Sequence, residues 1–240
     1  MNAIGLNARN QNACGILGGT FDPVHQGHLA LAAAALEALP LGEALWMPSG
    51  NPGHRAAPVA SARHRLAMLA LATDGHARLR IDAAELESNE LTYTVRTLAR
   101  LRAQFGSAQP LVLLLGSDSF LSLPTWLRWR ELLDLAHIAH VSRPGHCADD
   151  AGPTPELALE IERRTARPEQ LATSAAGKIA SFDMPPMDIS SSNIRAALAT
   201  GQDARHCLPP AVLAYIQSQH LYRETGLDKG VMPPCKSPKS

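Results

Sequence analysis

The stretch Gly15–Leu39, "GILGGTFDPVHQGHLALAAAALEAL", decides the fold. An apolar run closes on two glycines, a loop through Pro23 follows, and an alanine-rich segment begins at His28. An unbroken apolar run suits a strand covered on both faces, and alanine is the strongest helix former. The joint between them carries His25 and His28. Two imidazoles at such a joint could be metal ligands, packing groups or contacts to a bound molecule.

The same alternation recurs outward from this unit. Strands are expected at "CGILGG" (14–19), "EALWMPSG" (43–50), "ARLRIDAAEL" (77–86), "PLVLLLGSD" (110–118), "LAHIAHVSRPG" (135–145) and "KIASFDM" (178–184). Helical spacing marks "HLALAAAALEAL" (28–39), "SARHRLAMLALAT" (61–73, Ser61 as N-cap), "TYTVRTLARLRAQFG" (92–106, stopped by Gly106), "SSSNIRAALATG" (190–201) and "PPAVLAYIQSQHLY" (209–222). Repeated strand–helix alternation implies parallel pairing with right-handed crossovers, so the chain is expected to be α/β with a doubly wound parallel sheet. Ligands on such sheets sit beyond the carboxyl ends of the strands. The expected organisation is one domain over residues 14–223 with a small helical part at its C-terminal end. A disordered lead (1–13), a Pro- and Ala-rich insert with one helix (144–177) and a disordered tail (224–240) complete it.

Bulk composition narrows the function. A chain of 240 residues suits one large core. It has no apolar run of membrane length, and its start lacks the apolar core of a signal peptide. Lys plus Arg and Asp plus Glu balance at 22 each, which argues against a nucleic-acid binder that uses its whole surface. Cys14, Cys147, Cys207 and Cys235 are scattered without a C-x-x-C pair; that fits a reducing cytoplasm better than a disulfide or zinc scaffold. The sequence leaves homo-oligomerisation open.

Chemistry concentrates in the loops. Gly18 and Gly19 permit backbone conformations and close approaches that a side chain would block. Freed backbone N–H groups and the next helix N-terminus can hold an anion. His25 and His28, three residues apart, put both rings on one side of a first helical turn. Phosphate suits that convergence; zinc would require a third ligand, and no Cys or Glu lies nearby in sequence. A serine run opening a helix at Ser190, Ser191 and Ser192 is a second capping and anion-suited start, with Arg195 one turn on.

These motifs carry a family resemblance. "GTFDPVHQGH" resembles the nucleotidylyltransferase signature G-x-F-D-P-x-H-x-G-H, and "DISSSNIR" resembles the second motif I-S-S-T-x-I-R, with Ser192 in the threonine position. "PSGNPGHR", "LTYTVRTL" (Thr92 replacing serine) and "LLLGSDSFLSLPTWLRWREL" look like segments of the bacterial nicotinate-mononucleotide adenylyltransferases. The likeness spans about Gly15 to Tyr222. It implies a Rossmann-like fold and transfer of the adenylyl group of ATP to nicotinate mononucleotide, with Mg²⁺ accompanying ATP.

The resemblance also implies roles. His25, His28 and Arg195 act on the triphosphate and the α-phosphorus. Gly18, Gly19, Thr20, Phe21, Ser190, Ser191 and Ser192 bind ATP and its phosphates. His54, Arg55, Thr94, Asp118 and Trp126 contact the nicotinate nucleotide, with Thr94 beside the ring carboxylate and Trp126 stacked on the pyridine. Taken on their own, Trp126 and Trp129 would be core residues and Asp118 an N-cap. Asp22 braces the first turn or touches substrate. The nearest alternative is the same reaction on nicotinamide mononucleotide. A catalytically silent nucleotide-binding module would show a damaged motif, and both motifs are intact.

Overall fold

The computed structural model describes residues 12–52, 57–88, 90–142 and 152–223. Six strands form one parallel sheet: β1 (Ala13–Gly19), β2 (Leu41–Pro48), β4 (Leu79–Ile81), β6 (Leu111–Leu115), β7 (His137–Ser142) and β8 (Ile179–Asp183). Their spatial order is β4-β2-β1-β6-β7-β8. Two residues each of β3 (Asn51–Pro52) and β5 (Leu91–Thr92) pair separately. The chain winds outward from β1 through β2 to β4, then returns to lay β6 against the other side of β1. The winding direction therefore reverses between β1 and β6, and that is where such sheets leave a crevice for ligands.

Side-chain alternation explains why both faces are covered. In β6, Leu111, Leu113 and Leu115 enter one apolar cluster while Val112 and Leu114 enter the other. β1 divides likewise, with Leu17 on one face and Cys14 and Ile16 on the opposite one. Helices α1 (Gln26–Ala38), α2 (Ala62–Thr73), α7 (Ser191–Ala199) and α8 (Pro210–Ser218) cover the first face. The second is covered by α3 (Thr94–Phe105), α5 (Trp129–Leu135) and α6 (Pro155–Arg164). The doubly wound parallel sheet expected from the alternation is the observed fold.

Local differences have local causes. The expected third strand keeps only Leu79–Ile81, because the Asp82 carboxylate accepts the Ala84 N–H and turns the chain. β2 starts at Leu41, earlier than the polar Glu43 suggested. β7 starts at His137, since Leu135 still closes α5; residues 143–145 of that expected strand lie outside the described residues. Helix α4 (Ser117–Leu121) and α5 are too short to display a helical period. Gly106 ends α3 as expected, with φ of 84° at its C-cap.

Candidate active site

A cleft of about 550 Å³ lies at the carboxyl ends of β1, β2 and β6. It is lined by the β1–α1 loop, the start of α7, the start of α3 and the loop after β6. Gly18, Gly19, Thr20, Phe21, His25, His28, Thr94, Trp126, Ser191, Ser192 and Arg195 all border it, so segments far apart in sequence meet here. Ser190 and Asp118 are not among the lining residues, although Gly116 and Ser119, on either side of Asp118, are. His54 and Arg55 lie outside the described residues.

The histidine loop is built around helix capping. His25 is the N-cap of α1 and His28 the third helical residue. The His25 N–H donates to His28 Nδ1 at 3.2 Å. With Nδ1 accepting, a neutral His28 ring carries its proton on Nε2, leaving that nitrogen as a donor. The two rings stack with centroids 3.7 Å apart and planes at 28°. Phe21 meets His28 edge-on at 4.9 Å. His25 is 6% exposed, and its Nδ1 is buried without a hydrogen-bond partner. Burial pushes the His25 pKa down to about 4. Burial, and then the neighbouring His25, hold His28 well below the usual imidazole range. Both rings are thus neutral at pH 7.

The pair has a consequence for stability. Each ring is neutral in the fold but takes a proton near pH 6.5 when unfolded, so the unfolded chain binds more protons below that point. Burial likewise lowers the pKa of His137 and His140. Unfolding free energy should therefore hold above pH 7 and fall as pH drops from about 6.5 to 5. The slope is up to about 1.4 kcal/mol per pH unit for each such histidine. Urea titrations at pH 7 and pH 5 measure this, and equal stability at both would contradict it.

The two glycines serve approach rather than backbone conformation. Neither appears among the positive-φ positions; the left-handed residue of the loop is Phe21, at φ 50°. A Cβ on Gly18 would meet nothing within 4 Å, so this residue leaves open cleft where a ligand could touch backbone. A Cβ on Gly19 would stand 3.0 Å from the Phe21 ring. Phe21 itself is buried, packed 5.2 Å from Trp46, and its side chain orders His28.

The second motif locks onto the first. Ser191 Oγ donates to the Pro23 carbonyl at 2.9 Å, and Arg195 Nη1 donates to the Asp22 carbonyl at 2.7 Å. Arg195 Nη2 donates to Ser192 Oγ at 3.3 Å, while Ser190 Oγ accepts the Asn193 N–H as N-cap. The hydroxyls are thus used inside the protein. The first N–H groups of a helix have no intrahelical carbonyl, which leaves the amides of Ser191 and Ser192 for the cleft.

Three further residues support the cleft: Asp22, expected as a brace, and Glu85 and Arg65, which the sequence did not single out. Asp22 is buried and accepts from Val59 N at 2.7 Å, Ala60 N at 3.1 Å and the Tyr222 hydroxyl at 2.7 Å. That settles its bracing role. Glu85 lines the cleft and accepts from the Thr97 hydroxyl; burial raises its carboxyl pKa. Its backbone oxygen leaves no room at Gly50, where a Cβ would come within 2.0 Å. Arg65 is 1% exposed and donates to loop carbonyls. Its signal was present in the sequence: it shares a helical stripe with the buried Met68, Leu69 and Ala72. Glu85 had none, because its partner lies twelve residues away across a turn.

No group of three or more His, Cys, Asp or Glu among the described residues could hold a metal ion. No helix among the described residues is long and apolar enough to cross a membrane.

Comparison with known proteins agrees with this geometry. The cytidylyltransferase-like family model matches residues 16–197. A protein of Dechloromonas aromatica, named "Probable nicotinate-nucleotide adenylyltransferase", is 46% identical over 88% of this chain and 98% of its own length. One of the same name from Laribacter hongkongensis is 45% identical, over 88% of this chain and 94% of its own. The chain also shares its fold with the Plasmodium falciparum nicotinic acid mononucleotide adenylyltransferase complexed with NaAD. That match has a TM-score of 0.64 and 19% identity over 88% of this chain and 97% of the other. With relatives this similar over nearly their whole length, the chain belongs to the cytidylyltransferase-like proteins and, within them, to the nicotinate-nucleotide adenylyltransferase family.

Proposed function

We infer that this chain transfers the adenylyl group of ATP to nicotinate mononucleotide, giving deamido-NAD and pyrophosphate. One observation carries the reading: a single cleft is bordered by both anion-suited helix starts and also by Thr94 and Trp126. A phosphate oxygen of the mononucleotide attacks the α-phosphorus in line, the bond from that phosphorus to the bridging oxygen breaks, and pyrophosphate leaves. No covalent enzyme intermediate is required, so positioning and charge stabilisation supply the catalysis. Mg²⁺ bound to ATP would neutralise phosphate charge.

The chain's own residues do the rest. His28 donates from Nε2 to an oxygen on the α-phosphorus, and His25 lies beneath it with its Nδ1 still to be satisfied. Arg195, with the amides of Ser191 and Ser192, receives the phosphates that depart. Ser190 holds the first turn of α7 in place. Gly18, Gly19, Thr20 and Phe21 present backbone to the nucleotide. At the other end of the cleft Trp126 stacks on the pyridine ring. Thr94, the first residue of α3, offers hydroxyl and helix-start amide to the ring carboxylate. Asp118, between two lining residues, orders the loop after β6. The reading places the reaction in the cytoplasm, in keeping with the scattered cysteines.

The test is a paired assay of pyrophosphate release with ATP, Mg²⁺ and either mononucleotide. A carboxylate at a helix start gains a charge-assisted hydrogen bond that a carboxamide cannot, so kcat/KM should favour nicotinate mononucleotide by about a hundredfold. Equal values would reassign the acceptor, and no release from either would end the reading.

A further inference from the structure

Arg65 is the least expected residue in the molecule. It lies in the first turn of α2, four residues after the Ser61 N-cap, where the helix dipole disfavours a cation. Only 1% of it is exposed. Nη1 donates to the Thr20 carbonyl and to the Ser49 carbonyl, both at 2.8 Å, and Nη2 reaches the Gly50 carbonyl at 3.5 Å. Nε is buried and has no partner. None of these bonds goes to a carboxylate. Asp22 is near enough to attract the guanidinium, yet its oxygens are engaged by Val59, Ala60 and Tyr222.

Holding carbonyls together requires donors, not charge. A neutral amide could tie Thr20 to Ser49 without the large desolvation cost of a buried cation. Such a cost is tolerated where an anion will complete the balance. The carbonyls that Arg65 holds belong to Thr20 and Ser49, both of which line the cleft. Ser49 is also tied to the β1 end, its N–H donating to the Gly19 carbonyl at 2.9 Å. The guanidinium is therefore a fixed positive charge one backbone layer beneath the glycine–histidine loop. It faces that loop across low-dielectric protein, where a charge acts over a longer range than in water.

We propose that Arg65 is a positioning residue with an electrostatic role: its buried guanidinium, hydrogen-bonded to carbonyls and to no carboxylate, stitches the loops after β1 and β2 and attracts the triphosphate of ATP through them. This rests on the reading that the cleft holds the phosphates of ATP. Two effects then separate. The fork of donors sets loop geometry, and hence turnover. The charge sets affinity for a polyanion and is indifferent to an uncharged nucleoside.

Equilibrium binding of ATP and of adenosine to wild type, Arg65→Gln, Arg65→Met and Arg65→Lys tests this, with thermal unfolding measured alongside. The neutral variants should lose about tenfold or more in ATP affinity while adenosine binding stays within about twofold. Arg65→Lys should keep the wild-type ratio of the two affinities, yet lose turnover because an ammonium cannot bridge both carbonyls in the same way. Whichever neutral variant folds suffices for the comparison. A neutral variant that binds ATP and adenosine in the wild-type ratio overturns the proposal, as does one that loses both affinities together. If the wild type itself fails to prefer ATP over adenosine, the phosphate cradle is wrong, and that failure is distinguishable from the first two.

Discussion

His28→Ala should lower kcat about 10²- to 10³-fold while leaving the melting temperature within a few degrees of wild type. The magnitude follows from removing one aimed donor from a site where charge develops at an oxygen. The proposed donor follows from the hydrogen bonding: His28 Nδ1 accepts from the His25 N–H, which leaves Nε2 as the nitrogen free to donate. The fold survives because the ring sits at the cleft and its partners are the neighbouring His25 and Phe21 rings. Replacements by the two amides separate the ring's two duties. The shorter asparagine amide can restore only the acceptor near the Nδ1 position, whereas the longer glutamine amide can extend an N–H towards the Nε2 position. His28→Gln should therefore recover about tenfold of the lost rate and His28→Asn little. Steady-state kinetics of pyrophosphate release give the comparison. Wild-type turnover in His28→Ala would remove this residue from the chemistry.

Asp22→Ala should be the most destabilising single change in the site. Its carboxylate accepts from two backbone amides and from the buried Tyr222 hydroxyl, and it lies 3.9 Å from Arg195 Nη1. Alanine leaves all three donors unsatisfied and deprives Arg195 of its nearest counter-charge. The loss is about 3–5 kcal/mol, or about 10 °C in melting temperature for a domain of this size. Activity should fall as well, since Asp22 heads the loop that carries both histidines and its carbonyl is held by Arg195. Differential scanning calorimetry decides the first point. A melting temperature within about two degrees of wild type would show that the bracing network is dispensable. Tyr222→Phe, which removes one of the three bonds, should cost about 1 kcal/mol.

Much of the site was legible in sequence because it is local. A loop that passes from a strand to a helix is short, so His25, His28 and the glycines are fixed relative to one another by chain geometry. Ser190 reads as an N-cap for the same reason, and the structure places it there. Arg65 was half legible: helical spacing puts it on the buried stripe of α2, but which carbonyls it would reach depends on two other loops. Glu85 and Thr97 were not legible as a pair, since their contact requires the turn after β4 to fold back over the start of α3. The helices between β6 and β7 were hidden by their length, which is under two turns each.

The sequence by itself determined the class of fold, because strands buried on both faces and alternating with amphipathic or alanine-rich helices have few other packings. It also marked two loops as suited to anions, through the residue types at their helix starts. What only the tertiary structure decided is how those loops meet. Strand order places β6 beside β1, and the reversal of winding there brings residues about 170 positions apart into one cleft. It also decided how polar groups are partnered. The Ser191 hydroxyl and Arg195 bond the first loop, Asp22 joins it to Tyr222 near the other end of the chain, and Arg65 supplies buried charge beneath it. Those pairings depend on long-range packing and hydrogen-bond satisfaction, which no local pattern of residues encodes.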